Sequence, residues 1–275
     1  MILGIDLGGT NIRLAQITGG RIYNKVSAPS PSKMQMKESL EYIKSIIRPL
    51  ITSQIRGIGI GVPSVMDSER GIVYNVTFIP AWIEVHLKEI LEAEFEIPVH
   101  INNDSNCFAL GEKKFGEGAL FENIVGITLG TGVGAGIVYG NTLISGSNTG
   151  AGEIGCLKYL DATYEDYCAS KFFTTYYNLT GEELAIRARN NDSTALRIWS
   201  QFGEHIGQLI QAVLYTYDPD AIILGGGISR AYNLYSESMY SSFDSFLYSE
   251  TIKKIQIKVS KNPDIAILGA AALVQ

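Results

Sequence analysis

Short apolar runs alternate with longer amphipathic ones along the chain, and that alternation predicts an α/β protein. Ile2–Leu7 reads as a buried strand, with further strands over Asn11–Ile17 and Arg21–Ser27 around a Gly19-Gly20 hairpin turn. Leu40, Ile43, Ile47 and Leu50 put one apolar stripe on a helix over Lys37–Ile51. Strand Gly57–Val62, helix Val85–Phe95, strand Ile97–Asn102 and helix Ser105–Phe115 follow. A second half opens in the same way. Strand Ile124–Leu129 leads into a glycine cluster, and strands Ala135–Tyr139 and Thr142–Ile144 flank a Gly140-Asn141 turn. Ile198, Phe202, Leu209 and Val213 keep the 3–4 spacing of one buried face along a helix over Thr194–Tyr217. Ala221–Leu224 is a strand entering Gly225-Gly226-Gly227, and Gly269–Val274 closes the chain as a helix of small residues.

A shift of 122 residues lays Asp6-Leu7-Gly8-Gly9-Thr10 over Thr128-Leu129-Gly130-Thr131-Gly132. Such an internal repeat predicts two similar α/β lobes with a cleft between them. The boundaries expected are 1–110 for a smaller N-terminal lobe, completed by a closing helix over 264–275, and 111–263 for a larger second lobe.

Composition narrows the function. At 275 residues, 46% hydrophobic and 18% charged, this is an ordinary folded chain near the upper size for a single core. Twenty-two basic against 28 acidic side chains give −6 with no basic block, which argues against nucleic acid or an anionic membrane as partner. No apolar run approaches the ~20 residues of a membrane-spanning helix, and the N-terminus lacks the basic region of a signal peptide. Cys107, Cys156 and Cys168 are an odd number with no disulfide framework, so a reducing cytoplasm is expected. The 29 glycines are roughly a tenth of the chain against a usual ~7%, and they cluster.

Each cluster has a chemical and a bland reading. Asp6-Leu7-Gly8-Gly9-Thr10-Asn11 joins two strands, and its backbone N–H groups, with Thr10 and Asn11, can cradle a phosphate. Asp6 can hold a magnesium ion directly or through water. The same segment can be a hairpin that simply needs glycine. Gly130-Thr131-Gly132-Val133-Gly134 lacks the Lys-Ser/Thr of a Walker A loop and is followed by a strand, unlike a Rossmann fingerprint. Two glycine turns at matching places point to a phosphate chain gripped from both sides. Gly225-Gly226-Gly227 leaves room for a flat ring against the backbone, or is a β–α turn capped by Ser229. Asp104, after a strand and before a helix, can accept a proton from a substrate hydroxyl, while Asn102–Asn106 can equally serve as a helix cap. Glu153 among glycines, and Glu165 beyond it, suit a polyhydroxyl ligand or form an exposed acidic loop.

In this order the motifs resemble those of the ROK sugar kinases, within the actin-like ATPase and hexokinase superfamily. Asp6–Thr10 and Gly130–Gly134 resemble the two phosphate loops, Gly61-Val62-Pro63 a glycine–proline turn beside the sugar, and Gly225–Gly227 the adenosine loop. Asn103-Asp104 resembles the sugar-binding asparagine and catalytic aspartate, and Gly152-Glu153-Ile154-Gly155 the sugar-binding glutamate loop. The resemblance implies two actin-like, ribonuclease H-like lobes and transfer of the γ-phosphate of ATP to the 6-hydroxyl of a hexose, with magnesium near Asp6. Asp104 would act as general base. Asn103, Glu153 and Glu165 would orient the sugar, which is expected to be glucose. N-acetylmannosamine, N-acetylglucosamine, fructose and allose are alternatives, as are an inactive sugar-binding protein and a transcriptional regulator. Asp6 leaves no preceding residues for a DNA-binding module, and the acidic charge weighs against one. The family places a histidine after the glutamate loop and then three closely spaced cysteines, which bind a structural zinc. Here Cys156 stands at the histidine position and Lys158–Glu165 contains no cysteine, so no zinc is expected and the sugar preference is open. A homodimer is implied by the resemblance alone.

Overall fold

The N-terminal apolar run forms the strand on which the first sheet is built. In the computed structural model, which describes residues 1–274, β1 (Ile2–Leu7) is buried from Leu3 onward. It pairs antiparallel with β2 (Asn11–Thr18), which pairs with β3 (Arg21–Pro29) across a turn whose Gly19 and Gly20 both have positive φ. Helix α1 (Met36–Ile47) buries Leu40, Ile43 and Ile47. Strand β4 (Ile58–Val62), apolar throughout, lies parallel beside β1. A small antiparallel sheet follows, built from β5 (Met66–Asp67), β6 (Ile72–Tyr74) and β7 (Glu84–Val85). Then come α2 (Leu87–Phe95), β8 (Val99–Asn103) parallel to β4, and α3 (Asp104–Phe115). The main sheet has the order β3-β2-β1-β4-β8.

The second half repeats the plan. Strands β9 (Ile124–Leu129), β10 (Val133–Tyr139) and β11 (Thr142–Ile144) are followed by a hairpin of β12 (Lys158–Tyr159) and β13 (Ala162–Thr163). Helices α4 (Tyr164–Cys168), α5 (Ser170–Tyr177), α6 (Gly181–Arg189) and α7 (Ser193–Tyr217) come next. The chain then forms β14 (Ala221–Gly225), α8 (Tyr232–Ser241), α9 (Ser249–Lys254), β15 (Gln256–Val259) and α10 (Ile265–Ala271). The second sheet has the order β11-β10-β9-β14-β15, with β9, β14 and β15 parallel. Each sheet therefore places a hairpin beside three parallel strands, which is the internal repeat seen in the sequence.

By contacts, one compact unit comprises Met1–Leu120, Gly136–Ala151 and the chain from Lys261 on, and the other Phe121–Ala135 and Gly152–Ser260. In the first unit α10 packs on α3, with Gly269, Ala270 and Ala271 buried. That helix starts four residues earlier than its small-residue run implies, because Ile265, Ile267 and Leu268 supply the buried face. Val85 likewise belongs to a strand, and the helix after it begins at Leu87. No helix among the described residues is long and apolar enough to cross a membrane.

Trp82 anchors the first unit's core. Fully buried, it donates its indole N–H to Ser39 Oγ at 2.7 Å, and that hydroxyl donates in turn to Met36 O at 2.7 Å. Ser39→Ala strips a dry donor of its acceptor, so urea titrations should show a loss of about 1–3 kcal/mol in unfolding free energy. An unchanged midpoint would contradict this account of the core.

Candidate active site

Parallel strands put their carboxyl ends on one edge, where the chain must turn away and where α/β sheets place ligands. In the first unit the register runs Asp6 beside Gly61, Gly61 beside Asn102, and Val62 beside Asn103. Three of the polar or glycine positions singled out in the sequence thus share one row.

Asn103 is the N-cap of α3, its Oδ1 accepting from the backbone of Ser105 at 2.9 Å and Asn106 at 3.3 Å. Its Nδ2 donates to Ser64 O at 3.3 Å, which leaves a second N–H for a ligand. The helix cap that the sequence allowed within Asn102–Asn106 is thus Asn103, and its amide has valence to spare. Asn102 supports it from behind, Oδ1 accepting from Asn103 N (2.8 Å) and Asn106 Nδ2 (2.9 Å) while Nδ2 donates to Ser145 Oγ (3.1 Å). Along Ile101–Leu110 every residue is buried except Asp104. Its Oδ1 accepts from Ser105 N at 2.9 Å. Cys107, one turn on, is sealed in the core, its thiol pushed far up by burial and by the charges of Asp104 and Asp6.

Asp6 is 8% exposed, and its Oδ2 accepts from Arg13, whose Nε stands at 3.0 Å and whose Nη1 donates to Pro263 O at 2.9 Å. The reading of the sequence missed Arg13, although β1–β2 pairing sets it opposite Asp6. Between them Gly8 N donates to Asn11 O (3.0 Å), Gly9 packs on the Phe78 ring, and Thr10 and Asn11 are exposed. Pro63 is half-buried beside buried Gly61. A cavity of about 680 Å³ follows directly on this turn, lined by Val65, Asp67, Glu69, Tyr74, Ser147 and Asn148.

In the second unit Thr128 lies beside Gly225, so both remaining glycine loops leave one sheet edge. Gly226 has φ +82°, and a Cβ there would strike Leu129 O, so the fold itself demands glycine. Gly130 and Gly227 differ: among the described residues, their own chain neighbours apart, nothing lies within 4 Å of where their Cβ would be. Thr131 is exposed, and Gly134 lies in β10, its carbonyl accepting from Thr128 Oγ1 at 3.3 Å. Ser229 donates to Gly226 O at 2.8 Å and lies within the 3₁₀ turn Ile228–Ala231; α8 begins only at Tyr232, so Ser229 caps no α-helix.

Glu165 sits in the first turn of α4, fixed by a capping box between Thr163 and Asp166. Its Oε2 accepts from Val133 N at 3.0 Å and fills the place that a Cβ on Gly132 would take. This link to the glycine loop was not expected from sequence, although the Thr163-x-x-Asp166 signature marks where the helix starts. Cys156 Sγ lies 3.9 Å from Glu153 Oε2. Burial and the Glu165 charge push the Glu153 carboxyl up; burial and both carboxylates push the Cys156 thiol up. Among the described residues no group of three or more His, Cys, Asp and Glu is arranged to hold a metal, and all three cysteines are free.

The ROK family model matches residues 2–275, and the chain belongs to the ROK family. The glucokinase of Thermotoga maritima is 27% identical over 100% of this chain and 97% of its own length. The xylose repressor of Caldicellulosiruptor bescii is 26% identical over 99% of this chain, which spans 77% of that protein. Among solved structures, the ROK glucokinase from Streptomyces griseus in complex with glucose and AMPPNP superposes with a TM-score of 0.84 at 24% identity, covering 99% and 98% of the two chains. The fold is the two-lobe actin-like ATPase fold of the ROK sugar kinases.

A carboxyl whose pKa is raised on folding favours the folded state while protonated and loses that advantage as pH rises through the raised value. Glu153→Gln removes the loss, so thermal melts should show it more stable than wild type at pH 7. The gap should close below the ordinary carboxylate value of 4.5. Equal melting temperatures at pH 7 would show that Glu153 carries no such penalty.

Proposed function

We propose that this protein is an ATP-dependent sugar kinase that transfers the γ-phosphate of ATP to the 6-hydroxyl of a hexose, with glucose as the leading substrate. The observation that carries the reading is Asp104, the single residue of Ile101–Leu110 that is not buried, at the strand edge shared with Gly61 and Asp6. Its carboxylate accepts the 6-hydroxyl proton as that oxygen attacks the γ-phosphorus; the bond to the bridging oxygen breaks and ADP leaves. Gly61, Pro63, Asn103, Glu153, Cys156 and Glu165 are the residues assigned to the sugar. Many directional hydrogen bonds suit a polyhydroxyl ligand, and Asn103 keeps one N–H for it.

Asp6, Gly8, Gly9, Thr10 and Asn11, together with Gly130, Thr131, Gly132 and Gly134, are assigned to the phosphates, and Gly225, Gly226 and Gly227 to the adenosine. Among the described residues none beyond the chain neighbours would meet a Cβ at Gly130 or Gly227, which leaves the backbone there open to a ligand. Magnesium fits Asp6: a hard, largely hydrated ion bound mainly through phosphate oxygens needs one carboxylate, and Oδ1 remains while Arg13 holds Oδ2. That ion would neutralise charge on the phosphates. The free cysteines accord with a cytoplasmic enzyme.

Within the same chemistry the 680 Å³ cavity next to the Gly61–Pro63 turn favours N-acetylhexosamine as the second substrate reading, because it offers room for a substituent on the ring. A transcriptional regulator is less well supported. The xylose repressor match raises it, but the charge of −6 gives DNA no basic footprint.

Following ADP release across hexoses and N-acetylhexosamines tests the class. Asp104→Asn should lower kcat by about 10²–10⁴-fold with the ATP KM little changed. An Asp104→Asn enzyme as fast as wild type would remove the base assignment, and no sugar-stimulated ADP would remove the kinase. Gly227→Val should raise the ATP KM by about tenfold or more without lowering the melting temperature, since its side chain meets nothing in the chain. An unchanged KM would take the adenosine away from this loop.

A further inference from the structure

The segment that carries Glu165 has little backbone cohesion of its own. Strands β12 and β13 pair over two residues each, and α4 has five. Yet Glu165 must be held against a repulsion, since it and Glu153 interact as like charges. Lys171, which interacts with Glu165 as an opposite charge, offers little relief, because its ammonium is paired with Asp166.

What restrains the segment is aromatic. Tyr159 stacks on Tyr164 with ring centres 4.4 Å apart and planes 11° from parallel, and meets Tyr167 edge-on at 5.4 Å. All three reach α7. The Tyr159 hydroxyl is hydrogen-bonded to His205 Nδ1 at 3.0 Å, the Tyr167 ring packs on the His205 ring at 4.8 Å, and the Tyr164 hydroxyl donates to Gln208 O at 3.4 Å. Tyr164 and Tyr167 flank Glu165 in the chain, so its backbone is pinned on both sides to a 25-residue helix. Burial lowers the His205 pKa and pushes that of Tyr159 up to about 12, which keeps this hydrogen bond between neutral partners.

We infer that the Tyr159–Tyr164–Tyr167–His205 cluster is the positioning device for Glu165 and, through its carboxylate, for the backbone of the Gly130–Gly134 loop. The four are positioning residues: they touch no reacting atom, and they set where Val133 N–H and its neighbours point. The stretch 158–168 contains a single cysteine, Cys168, itself buried, so aromatic packing does here what a metal clip can do elsewhere. That the loop then serves phosphate rests on the kinase reading above; the positioning does not.

Amide hydrogen exchange at Val133 in the full-length protein tests this without reference to activity. Glu165→Ala sets the rate of a released loop. Tyr159→Ala should move Val133 exchange about tenfold or more toward that rate, as losing three ring contacts and a hydrogen bond implies. Tyr159→Phe, which keeps the ring, should stay within about threefold of wild type. Phe246→Leu breaks a comparable stack with Tyr215 elsewhere in the same unit and should leave Val133 unchanged. In turnover, Tyr159→Ala should raise the ATP KM by about tenfold with kcat within about threefold. Should Tyr159→Ala fail to fold, Tyr164→Leu is read by the same criteria. Wild-type protection at Val133 in the folded variant, or equal acceleration in Phe246→Leu, would overturn the proposal. If Val133 follows the expected order but wild type phosphorylates no sugar, the kinase reading fails and the positioning stands.

Discussion

The site depends first on parallel pairing. When β1, β4 and β8 run side by side in register, their carboxyl ends stop at one level and the backbone has to leave the sheet there. Asp6, Gly61 and Asn102 are neighbours for that reason alone, though 55 and 41 residues separate them in the chain. The second sheet repeats the constraint with β9, β14 and β15, bringing Thr128 and Gly225 together and with them two glycine loops. A one-residue slip in either sheet would turn these side chains to the opposite face, and because β1, β4, β9 and β14 are buried along nearly their whole length such a slip is costly.

Much of this was legible in the chain. The apolar runs marked nearly every major strand, and the long stripe of α7 was placed to within one residue of its start. The repeat at 122 residues anticipated the matching sheets. What misled was local composition: Gly269-Ala270-Ala271 looked like a helix start, whereas the buried Ile265, Ile267 and Leu268 decide where α10 lies. Ser229 looked like a cap, but its hydroxyl is spent on the preceding turn.

Of the candidate site, residue types at strand ends were legible and their partners were not. Asn103 and Asp104 stand out as polar residues after an apolar strand, but the pairing of Arg13 with Asp6 depends on antiparallel register, which no local pattern encodes. Likewise the Glu165–Val133 bond joins residues 32 apart through a hairpin held by side chains. The glycine excess divides on inspection. Gly226 and Gly132 answer to the chain, by a positive φ and by the approach of a carboxylate, while Gly130 and Gly227 answer to nothing within it.

The central claim is that Asp104 stands where a sugar 6-hydroxyl gives up its proton to become phosphorylated by ATP. The most direct measurement is nuclear magnetic resonance of the product formed from ATP and isotopically labelled glucose. The account predicts a phosphate ester whose phosphorus couples to the protons on carbon 6, formed in equal amount with ADP. An ester at another carbon, or ADP accumulating with free inorganic phosphate and unaltered sugar, would contradict it.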